Sequence, residues 1–169
     1  IVFIIFIFIL SIFYYLLLIE RNPTQIPSNL ISKKAPEFQS KDLIKDKIFI
    51  SSNEFGKEKI IGSFFATWCK PCLDEHKYIQ LLSKSTGIRI IGINYKDNPN
   101  NAKKWLKNLG NPYSDIPTDK NGRIAIDWGV YGLPETFLVN SKGFIEYRHV
   151  GPITKKIYKS ISVLITEIQ

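Results

Sequence analysis

The chain has 169 residues, 23 basic and 15 acidic side chains, a net charge of +8, two cysteines and no methionine. That length fits one domain with an appendage, and three Trp among abundant Ile, Leu and Phe exclude a disordered chain. Two cysteines are too few for a disulfide-stapled miniprotein, and scattered lysines without a basic, aromatic-interleaved stripe give no expectation of nucleic-acid binding. The missing Met leads us to expect a fragment or an unrecognised start.

Residues 1–19 (IVFIIFIFILSIFYYLLLI) carry no charge, and Ser11 is the only member outside the apolar set. A helix of this length spans close to the ~30 Å hydrocarbon core of a bilayer. It has no polar face, as a buried globular helix would need, and Glu20-Arg21-Asn22-Pro23 offers no small-residue cleavage site of a signal peptide. The expectation is an uncleaved membrane anchor over 1–19. Arg21, Lys33 and Lys34 weakly favour a cytoplasmic domain, but a long translocated domain escapes that rule, so orientation stays open. Residues 20–35, with two Pro, two Ser and two Asn, read as a linker, and 36–169 as one folded domain.

Within that domain, Lys47–Ser51 and Lys59–Thr67 read as strands, the second (KIIGSFFAT) continuous enough for burial on both faces. A helix should follow Trp68-Cys69-Lys70-Pro71-Cys72 and run to about Ser83. Ile88–Asn94 is another buried strand. In Asn100–Leu109, residues Ala102, Trp105, Leu106 and Leu109 recur at helical spacing before Gly110-Asn111-Pro112 stops the chain. Ile124–Trp128 suggests a short helix, Glu135–Val139 and Phe144–Val150 a hairpin, and Thr154–Ile168 a closing amphipathic helix. This order predicts an α/β fold: a central mixed sheet flanked by helices, parallel pairing first and an antiparallel hairpin last.

Cys69 and Cys72 lie two residues apart, directly after a buried strand and at a helix start. Helix N-terminal amides and the adjacent Lys70 would stabilise a thiolate there. Cys69, the more N-terminal and more exposed sulfur, would attack, and Cys72 would resolve; Pro71 fits the first helical turn. Three alternatives compete with redox catalysis. Half a zinc site lacks a second CxxC, although Cys72 and His76 share a helix face at i, i+4. A purely structural disulfide across so short a loop adds little closure entropy. Inert buried thiols fit poorly with a pair preceded by Trp and split by Lys-Pro. In Gly132-Leu133-Pro134-Glu135, the proline precedes an apolar strand, and on the residues alone a trans bond is the commoner state.

The blocks FATWCKPC (65–72) and GLPETF (132–137), with Glu75-His76, Gly92 to Asp97, Trp105 to Tyr113 and Gly129 to Leu138, resemble the thioredoxin fold, and more finely the DsbE/CcmG family of membrane-anchored thiol:disulfide oxidoreductases for cytochrome c maturation. The resemblance spans about 35–169. It implies a thioredoxin-like fold and a periplasmic domain held in the bacterial inner membrane by one N-terminal helix. Pro134 would then be cis and lie beside the dithiol, with the Leu133 backbone pairing to a client segment. Glu75 would raise the pKa of the buried thiol or relay its proton, making the pair a reductant. Trp68 would cover the disulfide and, with Glu135 as another acidic position near the site, shape the docking surface; solvated surface carboxylates are the alternative reading of Glu75 and Glu135. Asn94, Tyr95 and Asp97 fall at a strand end and turn and receive no role. The clients implied are apocytochrome c and haem-attachment thiol proteins, with a membrane dithiol as electron donor and no bound cofactor or metal. A general periplasmic thiol reductase, or a copper-delivery module using Cys69, Cys72 and a histidine, are the alternatives.

Overall fold

A computed structural model describes residues 2–18, 30–45 and 47–167. Helix α1 (Val2–Leu18) contains 17 residues and no charge, so at 1.5 Å per residue it is about 25 Å long. Among the described residues no helix is long and apolar enough to cross a membrane. Ile1 and Ile19, which complete the expected anchor, and residues 20–29 of the expected linker lie outside the described residues.

The linker does not extend to Ala35. Ser32 N–H donates to Ile145 O at 2.8 Å, Ala35 N–H to Gly143 O at 2.8 Å, and Lys34 bridges to Phe144. Ordered backbone pairing therefore begins before residue 36, and these residues edge the C-terminal hairpin.

Strands β1 (Gln39–Lys41) and β2 (Ile48–Ile50) form a small antiparallel pair. Then follow β3 (Ile60–Phe65), α2 (Lys70–Thr86), β4 (Arg89–Tyr95), α3 (Pro99–Leu109), β5 (Thr118–Asp119), α4 (Arg123–Asp127), β6 (Glu135–Val139), β7 (Ile145–Val150) and α5 (Lys155–Glu167). The main sheet runs β5-β4-β3-β6-β7, with β4 parallel to β3 and to β5, and β6 antiparallel to both β3 and β7. All six residues of β3 are buried, as its unbroken apolar run requires of a strand covered on both faces.

Alternation along β3 divides the core. Ile61 and Phe65 face a cluster containing Ile79 and Leu82 of α2, Leu106 of α3 and Ile161 of α5. Ile60 and Phe64 face a second cluster around Trp128, with Phe49, Ile93, Ile124 and Phe137. Trp128 is fully enclosed, contacts the rings of Phe38, Phe55, Phe64 and Phe137, and donates its indole N–H to Pro36 O at 3.2 Å. Glycine is required at Gly92, where a Cβ would come within 2.7 Å of the Tyr113 ring; its absence lets Tyr113 stack on Phe65 at 4.8 Å. Helix α2 runs one turn past the expected Ser83 and stops at Gly87, whose φ of 69° is left-handed and whose N–H returns to Ser83 O. Strands β1 and β5, three and two polar-rich residues long, carry no periodic signal.

Trp128→Ala should destabilise the protein by ~3–5 kcal/mol, the usual cost of truncating an enclosed aromatic. Equilibrium urea unfolding checks this; a loss near zero would show that the second cluster does not hold the sheet.

Candidate active site

The end of β3 delivers the chain to the N-terminus of α2, and Cys69 is the residue that caps it. Its Sγ accepts the Cys72 N–H at 3.2 Å, and Pro71, which lacks an N–H, occupies the first turn. Cys69 and Cys72 are joined in a disulfide with Cα atoms 5.3 Å apart. Both are enclosed in this oxidised form, 5% and 2% exposed, so the expected difference in exposure between them is small. Lys70 is exposed on the first turn, and Trp68 is 60% exposed with its indole N–H donated to Lys96 O at 3.2 Å.

The Leu133–Pro134 bond is cis, and Pro134 is buried at the entry to β6. Residues 130–133 form one wall of a cleft of about 290 Å³, with Trp68 and Tyr95 opposite. Tyr131 is 57% exposed, and Leu133 touches both core clusters. The cleft therefore opens at Trp68, the residue before Cys69, between an aromatic wall from the β3 and β4 ends and a backbone wall before β6.

Glu135 does not face this cleft. It is fully buried, accepts the Tyr131 N–H at 3.1 Å, and pairs with Arg148 through Nη2 at 2.7 Å and Nε at 2.8 Å. Arg148 also donates to Gly129 O at 2.8 Å and lies over the Tyr131 ring. Glu135 thus supports the 129–133 wall from behind, and a surface docking carboxylate is the wrong picture of it. Arg148 and Tyr131 were not singled out by sequence reasoning; Tyr131 lies in the Gly129 to Leu138 block that carries the resemblance, yet its pairing with Arg148 needs the β6–β7 hairpin.

Glu75 is likewise no surface group. It is 1% exposed and lies three residues after Cys72, so the two share a face of α2. One oxygen accepts the Ile153 N–H at 2.8 Å. Burial pushes its pKa up to about 8, only partly opposed by that hydrogen bond. The Tyr113 phenol is raised as well, by burial and then by the Glu75 charge, which places it in the same enclosed environment. Next in sequence, His76 is buried against Trp105 with ring centroids 4.3 Å apart, and its Nε2 faces Gly110 O at 2.9 Å. Burial lowers its pKa and so favours the neutral ring, partly opposed by the Gly110 hydrogen bond. Among the described residues no group of three His, Cys, Asp or Glu side chains could hold a metal ion.

A CxxC disulfide at the N-terminus of a helix that follows a central buried strand, with a cis-proline loop before the neighbouring strand β6, defines a thioredoxin-like thiol–disulfide oxidoreductase. The redoxin family model matches residues 31–163. The thiol:disulfide interchange protein DsbE of Vibrio cholerae is 43% identical over 135 residues, covering 80% of this chain and 73% of the relative. Solved structures share the fold, and two serve as examples. A DsbF homologue from Corynebacterium diphtheriae superposes with a TM-score of 0.70 at 19% identity, covering 86% of this chain and 94% of its own. A thioredoxin-family thiol:disulfide interchange protein from Chlorobium tepidum gives 0.64 at 24% identity, covering 83% and 99%. The chain belongs to the redoxin family, among its DsbE thiol:disulfide interchange proteins.

The raised Glu75 pKa fixes a sign for stability. The ordinary carboxyl value is 4.5, so between 4.5 and about 8 the folded state keeps a proton that the unfolded chain gives up. This contribution is complete below the unfolded value and is lost as pH rises through about 8. The oxidised protein should lose roughly 4 kcal/mol across that window relative to Glu75→Gln. Urea midpoints at pH 5 and pH 8.5 test it; parallel pH profiles would show that Glu75 is not proton-bound in the fold.

Proposed function

We propose that this protein is a reductase of the bacterial cell envelope, held in the inner membrane by the apolar segment 1–19 with its thioredoxin-like domain in the periplasm. It reduces disulfides of apocytochrome c, or of a thiol protein of the haem-attachment machinery, during cytochrome c maturation. The observation that carries the direction of transfer is the enclosed Glu75 carboxyl one helical turn from Cys72. Strong thiol oxidants stabilise the thiolate of their reduced form. A buried carboxyl next to the resolving sulfur opposes such a charge, and the couple becomes a donor of electrons. The identity with DsbE proteins over most of the domain supports the client class.

In the forward reaction the Cys69 thiolate attacks one sulfur of the client disulfide. That S–S bond breaks, a client thiolate leaves, and a mixed disulfide forms. Cys72 then gives its proton to Glu75 in its carboxylate form, which is populated as pH approaches 8, and attacks Cys69 Sγ. The second client thiolate leaves, both client sulfurs take protons from solvent while Glu75 keeps the one it received, and the Cys69–Cys72 disulfide remains. A carboxyl that titrates near 8 is matched to a thiol, whose ordinary pKa is ~8.5. The helix N-terminus, with Lys70 on its first turn, favours the Cys69 thiolate. Trp68 and the Leu133–Pro134 segment receive the client on either side of the cleft, with Leu133 offering its backbone in a short β-type pairing. A membrane dithiol donor returns the pair to the reduced state, and no bound cofactor takes part.

Cys72→Ser removes the resolving sulfur and should trap a disulfide-bonded CxxCH peptide on Cys69. The adduct should be released by dithiothreitol and be absent from Cys69→Ser, as read by intact mass. Efficient trapping of unrelated disulfide peptides with no CxxCH adduct would instead make the protein a general thiol reductase.

A further inference from the structure

The turn between β4 and α3, left without a role on sequence grounds, is bonded directly to the loop that carries the dithiol. The Asp97 carboxylate accepts four hydrogen bonds. Oδ2 takes the Thr67 N–H at 2.7 Å and the Asn94 side-chain amide at 3.0 Å; Oδ1 takes the Thr67 hydroxyl at 2.7 Å and the Asn98 N–H at 2.8 Å. Two carboxylate oxygens offer about four lone-pair sites, and here every one faces a donor. The preceding residue, Lys96, accepts the Trp68 indole N–H and holds a left-handed φ of 41°. A non-glycine residue keeps that conformation only where its surroundings over-determine it. Lys96 N–H is fixed by Asp119 O at 2.9 Å, and Asp119 in turn caps α4 through the Ile124 and Ala125 amides. Tyr95, on the same turn, lies against Trp68 with centroids 6.3 Å apart. One five-residue turn thus holds Thr67 by backbone and side chain, holds Trp68 by its indole, and supplies the second aromatic of the cleft wall.

We propose that Asp97 is a positioning residue for client recognition. It locks Thr67, the residue two before Cys69, and so sets where Trp68 stands beside the attacking sulfur. A client polypeptide has to be seated against that wall before its disulfide can meet Cys69, whereas a small disulfide needs only the sulfur. Asp97 therefore governs exchange with polypeptides far more than exchange with small molecules. The inference rests on the Trp68 cleft being the docking surface, and not on which polypeptide docks.

Asp97→Asn is nearly isosteric but turns one acceptor oxygen into a donor, which in either amide orientation leaves at least one backbone N–H, that of Thr67 or of Asn98, without its acceptor. Its kcat/KM for a disulfide-bonded CxxCH peptide should fall about tenfold, mainly through KM, while its rate with dithionitrobenzoate falls less than twofold. Thr67→Val, which removes the hydroxyl donor alone, should fall between, and Thr67→Ser should restore the wild-type ratio. In the ¹⁵N spectrum the Trp68 indole signal should shift and lose exchange protection in Asp97→Asn, while those of Trp105 and Trp128 stay in place. Equal losses on both substrates, or an unmoved Trp68 signal, would overturn the proposal. If Asp97→Asn does not fold, the Thr67→Val and Thr67→Ser pair decides on the same readouts. Trp68→Ala separates the two levels. If it spares peptide exchange, the cleft is not the docking surface and the proposal falls with it; if it discriminates between substrates and Asp97→Asn does not, only the role of Asp97 falls.

Discussion

The site depends on the burial of one face of α2. Cys72, Glu75, His76, Ile79 and Leu82 all lie on that face, pressed against a sheet whose central strand is enclosed from end to end. The apolar members fix the helix, and the polar members are carried inward with it. A carboxyl so placed cannot find water, so its protonation becomes coupled to the charge on the neighbouring sulfur. Were α2 rotated by a quarter-turn, Glu75 would be a solvated surface acid and Cys72 an accessible thiol, and the couple would lose its polarity of function.

The opposite wall obeys a different constraint. The segment 129–133 has little core of its own, and it is held by an ion pair instead. Arg148 joins Glu135, Gly129 O and the face of Tyr131, while Glu135 takes the Tyr131 amide. A buried pair of this kind adds little net stability, but removing one partner leaves an uncompensated charge, so the geometry is strongly specified. The Asp97 turn does the equivalent work on the Trp68 side with a saturated carboxylate. The cleft is thus framed by two buried or half-buried acids, and both serve to hold its walls.

Much of this was legible in the residues because it rests on local patterns. The unbroken run at 59–67 marked the covered strand and the CxxC after a strand marked the redox pair, whereas the cis Leu133–Pro134 wall was expected only from the family resemblance. What escaped depends on tertiary placement. Strands of two or three polar residues, such as Thr118–Asp119, exist only because a neighbouring strand offers a ladder. The resemblance placed Glu135 on the docking surface, whereas its partner Arg148 lies 13 residues away across a hairpin and turns it inward. Asp97 looked like an ordinary turn residue because its main partner, Thr67, is 30 residues distant. The expected linker over 20–35 ended too late for a related reason, since Ser32 and Ala35 carry no pattern but find backbone partners in the C-terminal hairpin.

The central claim is that an enclosed carboxyl tunes this dithiol toward giving electrons. Redox equilibration of wild type and Glu75→Gln against a dithiothreitol buffer, at pH values on both sides of 8, tests it directly. The account predicts that wild type is the stronger reductant above that pH, that Glu75→Gln becomes more readily reduced, and that the difference shrinks as the solution is acidified. Coincident equilibrium constants at every pH would contradict it.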